Sequence, residues 1–208
     1  MALEPLQVRT IFPIPLVSTT LVRADELKSA LLAEIVERQA AEESVARSNL
    51  GGWDSKPDFF MRDEPAQREL AEVIDEFIGA ACDQMMPGVL EQAHLKREGW
   101  ISVGSAGAMR APHDHAGSFW SGSYYVDVPS GSPDAHSTGA IEFVDPRGSI
   151  GTNALIRTPF TEPRVTILPK AGMLLLWPSF LKHWVHPNPS TEDRTMIAFN
   201  AWFGKKGA

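Results

Sequence analysis

The chain has 208 residues, 43% of them hydrophobic and 22% charged, with a formal net charge of −7. These are the proportions of a globular protein long enough to bury a full core, and the acidic balance without any basic run argues against nucleic acid as a partner. The single cysteine, Cys82, cannot form an internal disulfide, and within an amphipathic stretch it reads as a small buried hydrophobe. Pro13 and Pro15 break the apolar stretch that a signal peptide would need, and the longest apolar run, 173–177, is too short to cross a bilayer. The expectation is a cytoplasmic protein with neither a membrane nor a nucleic-acid partner.

Segment 7–12 is expected to form an edge strand. From Asp25 onward, Leu27, Leu31, Ile35 and Val36 recur at helical spacing with Glu and Arg between them. A second helix is expected from near Asp63, with Pro65 in its first turn and Leu70, Val73, Ile74, Phe77, Ile78 and Ala81 on one face. Met86-Pro87-Gly88 ends it. Between the helices, Gly51-Gly52-Trp53 and Phe59-Phe60 are expected to pack beneath them rather than to cover a cleft. After about residue 98, short apolar runs alternate with Gly, Pro, Asp and Ser clusters. The candidate strands are 100–103, 108–111, 119–128, 140–144, 164–168, 173–177 and 195–203. Helices followed by strands predict one domain, 1–208, of mainly β (α+β) class. A helical part, about 1–97, would buttress one face of a sandwich or barrel, about 98–208.

Four of the six histidines fall in two close pairs, His113/His115 and His183/His186. In extended backbone, residues i and i+2 share a face, so His113 and His115 can converge on one ion while Asp114 points away. Pro112 marks the end of a strand there, and Asp114 becomes an alternative ligand if the chain turns. His183 and His186 are three apart and would face opposite ways, which favours one ligand over two. Three imidazoles with open positions describe a catalytic metal site rather than a structural one. His94 and His136, being isolated, read as hydrogen-bonded structural residues.

Two strands carry further polar candidates. Arg194, Met196, Ala198, Asn200 and Trp202 share one face of the last strand, where a guanidinium fork suits a carboxylate. A surface arginine in the turn after Glu192-Asp193 is the competing reading. Ser121, Ser123, Tyr125 and Asp127 share one face of 119–128, either lining a polar pocket or facing solvent. Asp145-Pro146-Arg147-Gly148 reads as a turn.

In order and spacing these pieces resemble the Fe(II)- and 2-oxoglutarate-dependent dioxygenases, in particular small bacterial members akin to prolyl hydroxylases. The resemblance covers about residues 98–203. It rests on His113-x-His115, Ser121-Gly122-Ser123-Tyr124-Tyr125, and the stretch from Gly139 to Arg147. It continues through Pro169-Lys170-Ala171-Gly172, Leu174 to Ser179, His183-x-Val185-x-Pro187, and Arg194 with Phe199-Asn200. It implies a double-stranded β-helix, or jelly roll, holding Fe(II) through His113, His115 and His183, with His183 chosen over His186. It also implies 2-oxoglutarate as cosubstrate, its far carboxylate bound by Arg194 and Tyr125, with Ser123 and Asn200 as further contacts. The implied activity is hydroxylation of a C–H bond in a small molecule or peptide. The family pattern has Asp or Glu where this chain has His115, which leaves the site one negative charge poorer. A cupin-like metalloenzyme without 2-oxoglutarate, and a non-catalytic jelly-roll binding module, are the alternative functions. Sandwich edge strands also leave a route to a homodimer.

Overall fold

The computed structural model describes residues 5–45, 49–129, 139–148 and 162–206. Helix α1 (Ala24–Ala41) turns Leu27, Leu31 and Ile35 inward at the expected spacing, while Val36 stays exposed. Helix α2 (Pro65–Met85) opens on its proline and buries Leu70, Ile74, Ile78 and Ala81. The first amide groups of a helix have no partner within it. Here Glu34 of α1 supplies one, accepting the Ala66 and Gln67 N–H groups at 2.9 and 3.0 Å, which also ties the two helices together. Past α2, Gly88 adopts a positive φ of 80° that favours glycine, and a short helix α3 (Val89–Gln92) follows.

Eleven strands are present among the described residues. The first three are β1 (Val17–Thr20), β2 (Asn49–Leu50) and β3 (Trp53–Asp54). Next come β4 (Ala93–Gly104), β5 (Met109–His113), β6 (Trp120–Asp127) and β7 (Ile141–Val144). The last four are β8 (Arg164–Ile167), β9 (Met173–Pro178), β10 (His183–Val185) and β11 (Arg194–Lys205). They form a six-stranded sheet, β1-β9-β6-β11-β4-β3, and a five-stranded sheet, β2-β5-β10-β7-β8, in which every pairing is antiparallel. This is the expected jelly roll with helices on one face.

Strand alternation divides the core in two. Ile197, Phe199 and Ala201 of β11, with Trp120, Tyr124 and Val126 of β6, pack against Leu31, Leu70, Ile74 and Ile78 of the helices. The opposite face carries Met196 and Tyr125, which meet Leu175, Trp177, Ile141, Phe143 and Val185 between the sheets. Phe59 is buried among the helix-side residues, as expected of the loop between the helices.

The differences from the sequence reading have local causes. Segment 7–12 forms no strand; one edge strand of the larger sheet is β1 instead, paired with β9. The first half of the chain thus contributes β1, β2 and β3 to the sheets. Two-residue strands such as β2 and β3 are too short to show alternation, so periodicity cannot reveal them. The same holds for β10, three residues long.

Gly122 is a point of close approach. A Cβ there would lie 2.2 Å from the Phe199 ring and 2.6 Å from the Leu175 carbonyl oxygen. Gly122→Ala is therefore expected to destabilise the protein by ~1–3 kcal/mol through overpacking. At Gly79 in α2, by contrast, an added methyl would meet nothing within 4 Å, and Gly79→Ala should stabilise by up to ~1 kcal/mol. Urea denaturation of both variants tests this contrast in sign.

Candidate metal centre

Strand β10 lies between β5 and β7, and its register sets His183 opposite both His113 and Phe143. His113 is the last residue of β5, so the strand does not carry His115. A turn does. The His115 N–H donates to the Ser179 carbonyl at 3.0 Å, and Ser118 N–H donates back to the His115 carbonyl at 3.2 Å. The same-face argument for His113 and His115 therefore gives the right neighbours by a different route. The three rings sit with centroids 4.5 to 5.3 Å apart. Their candidate donor atoms all lie within 4.8 Å of one another, the single such grouping among the described residues.

The imidazoles are oriented by the backbone. His113 Nδ1 lies 2.7 Å from the Ala111 carbonyl oxygen and His183 Nδ1 lies 2.9 Å from that of Leu181. With Nδ1–H donating there, each Nε2 keeps its lone pair, the arrangement typical of metal-binding histidine. Burial pushes the His183 pKa down to about 3, and His113 and His115 reinforce the shift. Burial also lowers that of His113, with Arg110 adding to it and the Ala111 hydrogen bond opposing it. Three imidazoles grouped around one point are the donor set a soft-to-borderline divalent cation takes, so Fe(II) fits the residues present.

The other candidates fall in distinct places. Asp114 is exposed. His186 sits on the outer face of the smaller sheet, its Nε2 2.9 Å from buried Glu142. His94 is exposed on β4, and His136 lies outside the described residues. Tyr125, Ser123 and Arg194 are all buried on the inner face of the larger sheet, which decides against a solvent-facing strand and a surface arginine. Arg194 donates from Nη1 to the Gly139 carbonyl at 2.8 Å, and its Nε has no partner. Burial lowers its pKa, with Tyr125 working the other way. Burial raises the Tyr125 phenol to about 12 against the pull of Arg194 and a hydrogen bond with Ser123. Asn200 is elsewhere. Six residues along an extended strand separate it from Arg194 by ~20 Å. Its carboxamide accepts from Ser121 at 2.8 Å and donates to Glu98 at 3.2 Å. Asp145 to Gly148 forms the expected turn.

The cavity in front of the histidines is also lined by Trp100, Arg110, Ser123, Ile141, Trp177 and Met196. Trp53, Phe59, Phe60, Trp120 and Trp184 are not in its lining. Sequence reasoning missed Arg110 and its buried partner Asp54. The available signal was a lone arginine inside a predicted strand of otherwise apolar residues.

Residues 98–200 match the family described as "2OG-Fe(II) oxygenase". The chain belongs to the 2-oxoglutarate–Fe(II) oxygenases. Fe(II) and 2-oxoglutarate are therefore its metal and cosubstrate, and it is an enzyme of the dioxygenase type. Solved structures share its fold. A prolyl-4-hydroxylase from Pseudomonas putida is 19% identical, with a TM-score of 0.63 over 92% of this chain and 93% of that one. A prolyl hydroxylase from Trichoplax adhaerens, in complex with a hypoxia inducible factor peptide fragment, is 15% identical, with a TM-score of 0.65 over 90% and 83%. HygX from Streptomyces hygroscopicus, with nickel, 2-oxoglutarate and hygromycin B bound, is 18% identical, with a TM-score of 0.60 over 92% and 83%. No curated protein sequence matches the chain. Among the described residues, no helix is long and apolar enough to cross a membrane.

The His183 shift has a consequence for the metal-free protein. Its imidazole titrates near 6.5 when unfolded and near 3 when folded, so the unfolded chain binds more protons as the pH falls. The contribution to stability is whole above pH 6.5 and is lost as the pH drops toward 3. Urea midpoints of the metal-free protein should fall between pH 6.5 and about 5, above the range where ordinary carboxylates protonate. His183→Gln should flatten that slope.

Proposed function

We propose that His113, His115 and His183 hold Fe(II), that Arg194 and Tyr125 with Ser123 anchor the far carboxylate of 2-oxoglutarate, and that the chain hydroxylates a C–H bond of a small molecule or peptide. The observation that carries this reading is the convergence of three imidazoles on one cavity. A guanidinium with an unpartnered Nε is buried two residues before Met196, which lines that cavity. The iron, when bound, supplies the oxidative decarboxylation of the cosubstrate and the oxidation of the substrate. The protein's own part is placement. Carbonyl hydrogen bonds to Nδ1 of His113 and His183 hold the Nε2 donors toward the metal. The Gly139 carbonyl fixes the Arg194 fork, leaving Nε for a carboxylate. The raised Tyr125 pKa keeps its phenol protonated as a hydrogen-bond donor at neutral pH. A buried lone cysteine suits the reducing cytoplasm.

Anaerobic titration with Fe(II) and then 2-oxoglutarate tests the assignment. The expected result is a visible charge-transfer band in the wild type. His183→Ala should lose iron binding. Arg194→Leu should bind iron normally but 2-oxoglutarate about 30-fold more weakly or worse, as truncation of a buried charge-assisted contact costs ~2 kcal/mol or more. Absence of the band, together with unchanged iron binding in His183→Ala, would refute the assignment.

A further inference from the structure

The ion pair between Arg110 and Asp54 stands apart from the other salt bridges among the described residues. The carboxylate side chain is 0% exposed and the guanidinium side chain 8%. Arg110 Nη1 donates to Asp54 Oδ2 at 2.6 Å, and Nη2 donates to both Asp54 Oδ1 and the Ser102 hydroxyl. Arg110 belongs to β5 of the smaller sheet, whereas Asp54 and Ser102 belong to β3 and β4 of the larger one. The pair therefore spans the gap between the sheets beside the cavity. Stability alone does not require it, since well-packed apolar residues of similar volume commonly replace a buried ion pair without loss.

The strand registers fix its depth. His113 faces His183, and Arg110 faces Val185, which in turn faces Ile141. Two residues before Ile141 is Gly139, whose carbonyl holds Arg194. Arg110 thus lies between the level of the histidines and the level of Arg194, in the cavity wall. A dicarboxylate held at one end by a metal on the histidines and at the other by Arg194 would pass alongside it.

We propose that Arg110 is a positioning residue for this dicarboxylate, and that Asp54 is the counter-charge that lets a guanidinium stand in the wall without repelling the metal. The proposal rests on the reading of His113, His115 and His183 as metal ligands. Three imidazole ligands bring no negative charge to the metal, so an unpaired cation beside it would weaken metal binding. Paired with Asp54, Arg110 adds no net charge, yet its fork remains oriented by two partners.

Charge substitutions separate this role from a structural one because they move the two ligands in opposite directions. Co(II) binding is followed by its visible absorbance, and 2-oxoglutarate is then titrated into the Co(II)-loaded protein. Asp54→Asn leaves a positive charge uncompensated, so Co(II) should bind about tenfold more weakly and 2-oxoglutarate more tightly. Lost packing cannot produce that pair of signs. The double variant Asp54→Asn/Arg110→Gln keeps a neutral hydrogen-bonding bridge. It should bind Co(II) within about twofold of wild type and 2-oxoglutarate about five- to twentyfold more weakly. The proposal is overturned if the double variant binds 2-oxoglutarate as the wild type does, or if Asp54→Asn weakens both ligands alike. Should Asp54→Asn not fold, the double variant decides alone. A wild type that binds no Co(II) defeats the metal-ligand reading itself, and the proposal falls with it.

Discussion

Strand β11 lies between β4 and β6 and pairs with β4 along all 12 of its residues. Because successive side chains alternate, this one strand must satisfy two environments at once. One row, Ile197, Phe199 and Ala201, closes against the helices. The other presents Met196 to the space between the sheets and carries Arg194 on the same face. A slip of one residue would exchange the rows, placing Arg194 against the helices and Phe199 in the cavity. Gly122 guards that register, since only a residue without Cβ lets the Phe199 ring lie across β6. The position of the buried guanidinium is thus set by hydrophobic packing on the opposite side of the same strand.

The larger part of this arrangement is legible in the sequence. The apolar rows of α1, α2, β6 and β11 are long enough for their period to show, and they predict the helix-backed sheet. The histidine cluster is legible as well, though for His115 the reason differs from the spacing argument. Its place comes from a backbone hydrogen bond to Ser179, a contact between residues 64 positions apart that no local pattern can reveal. The two-residue edge strands β2 and β3 are illegible for a simpler reason. Strand β3 offers two residues, Trp53 and Asp54, and their membership of the sheet depends on β4 being there to accept them.

Burial governs the electrostatics of the cavity. An imidazole taken out of water loses the hydration that stabilises its charged form, so His183 is held neutral far below its usual range. The same burial acts on Arg194, but a guanidinium is too basic to be discharged and finds partners instead. The Gly139 carbonyl is one of them. Under the proposed function, a neutral His183 and a permanent cation at Arg194 together suit a metal with an anionic ligand.

His115 changes what must balance that combination. Where a carboxylate would bring negative charge to the metal, an imidazole keeps the donor and brings none. With His113, His115 and His183 as the proposed ligands, charge neutrality would depend more heavily on the dicarboxylate and on every fixed charge within a few ångströms. A lone cation in the wall would oppose the metal in so poorly screened a space, where Coulomb energies fall off slowly with distance. Arg110 would be such a cation but for Asp54, against which it is held with little solvent to moderate the pair. The N-terminal part of the chain therefore does more than cover one face of the jelly roll. By threading β3 onto the edge of β4, it brings a carboxylate from outside the family-matched segment, 98–200, to the side of a cavity built almost wholly within that segment.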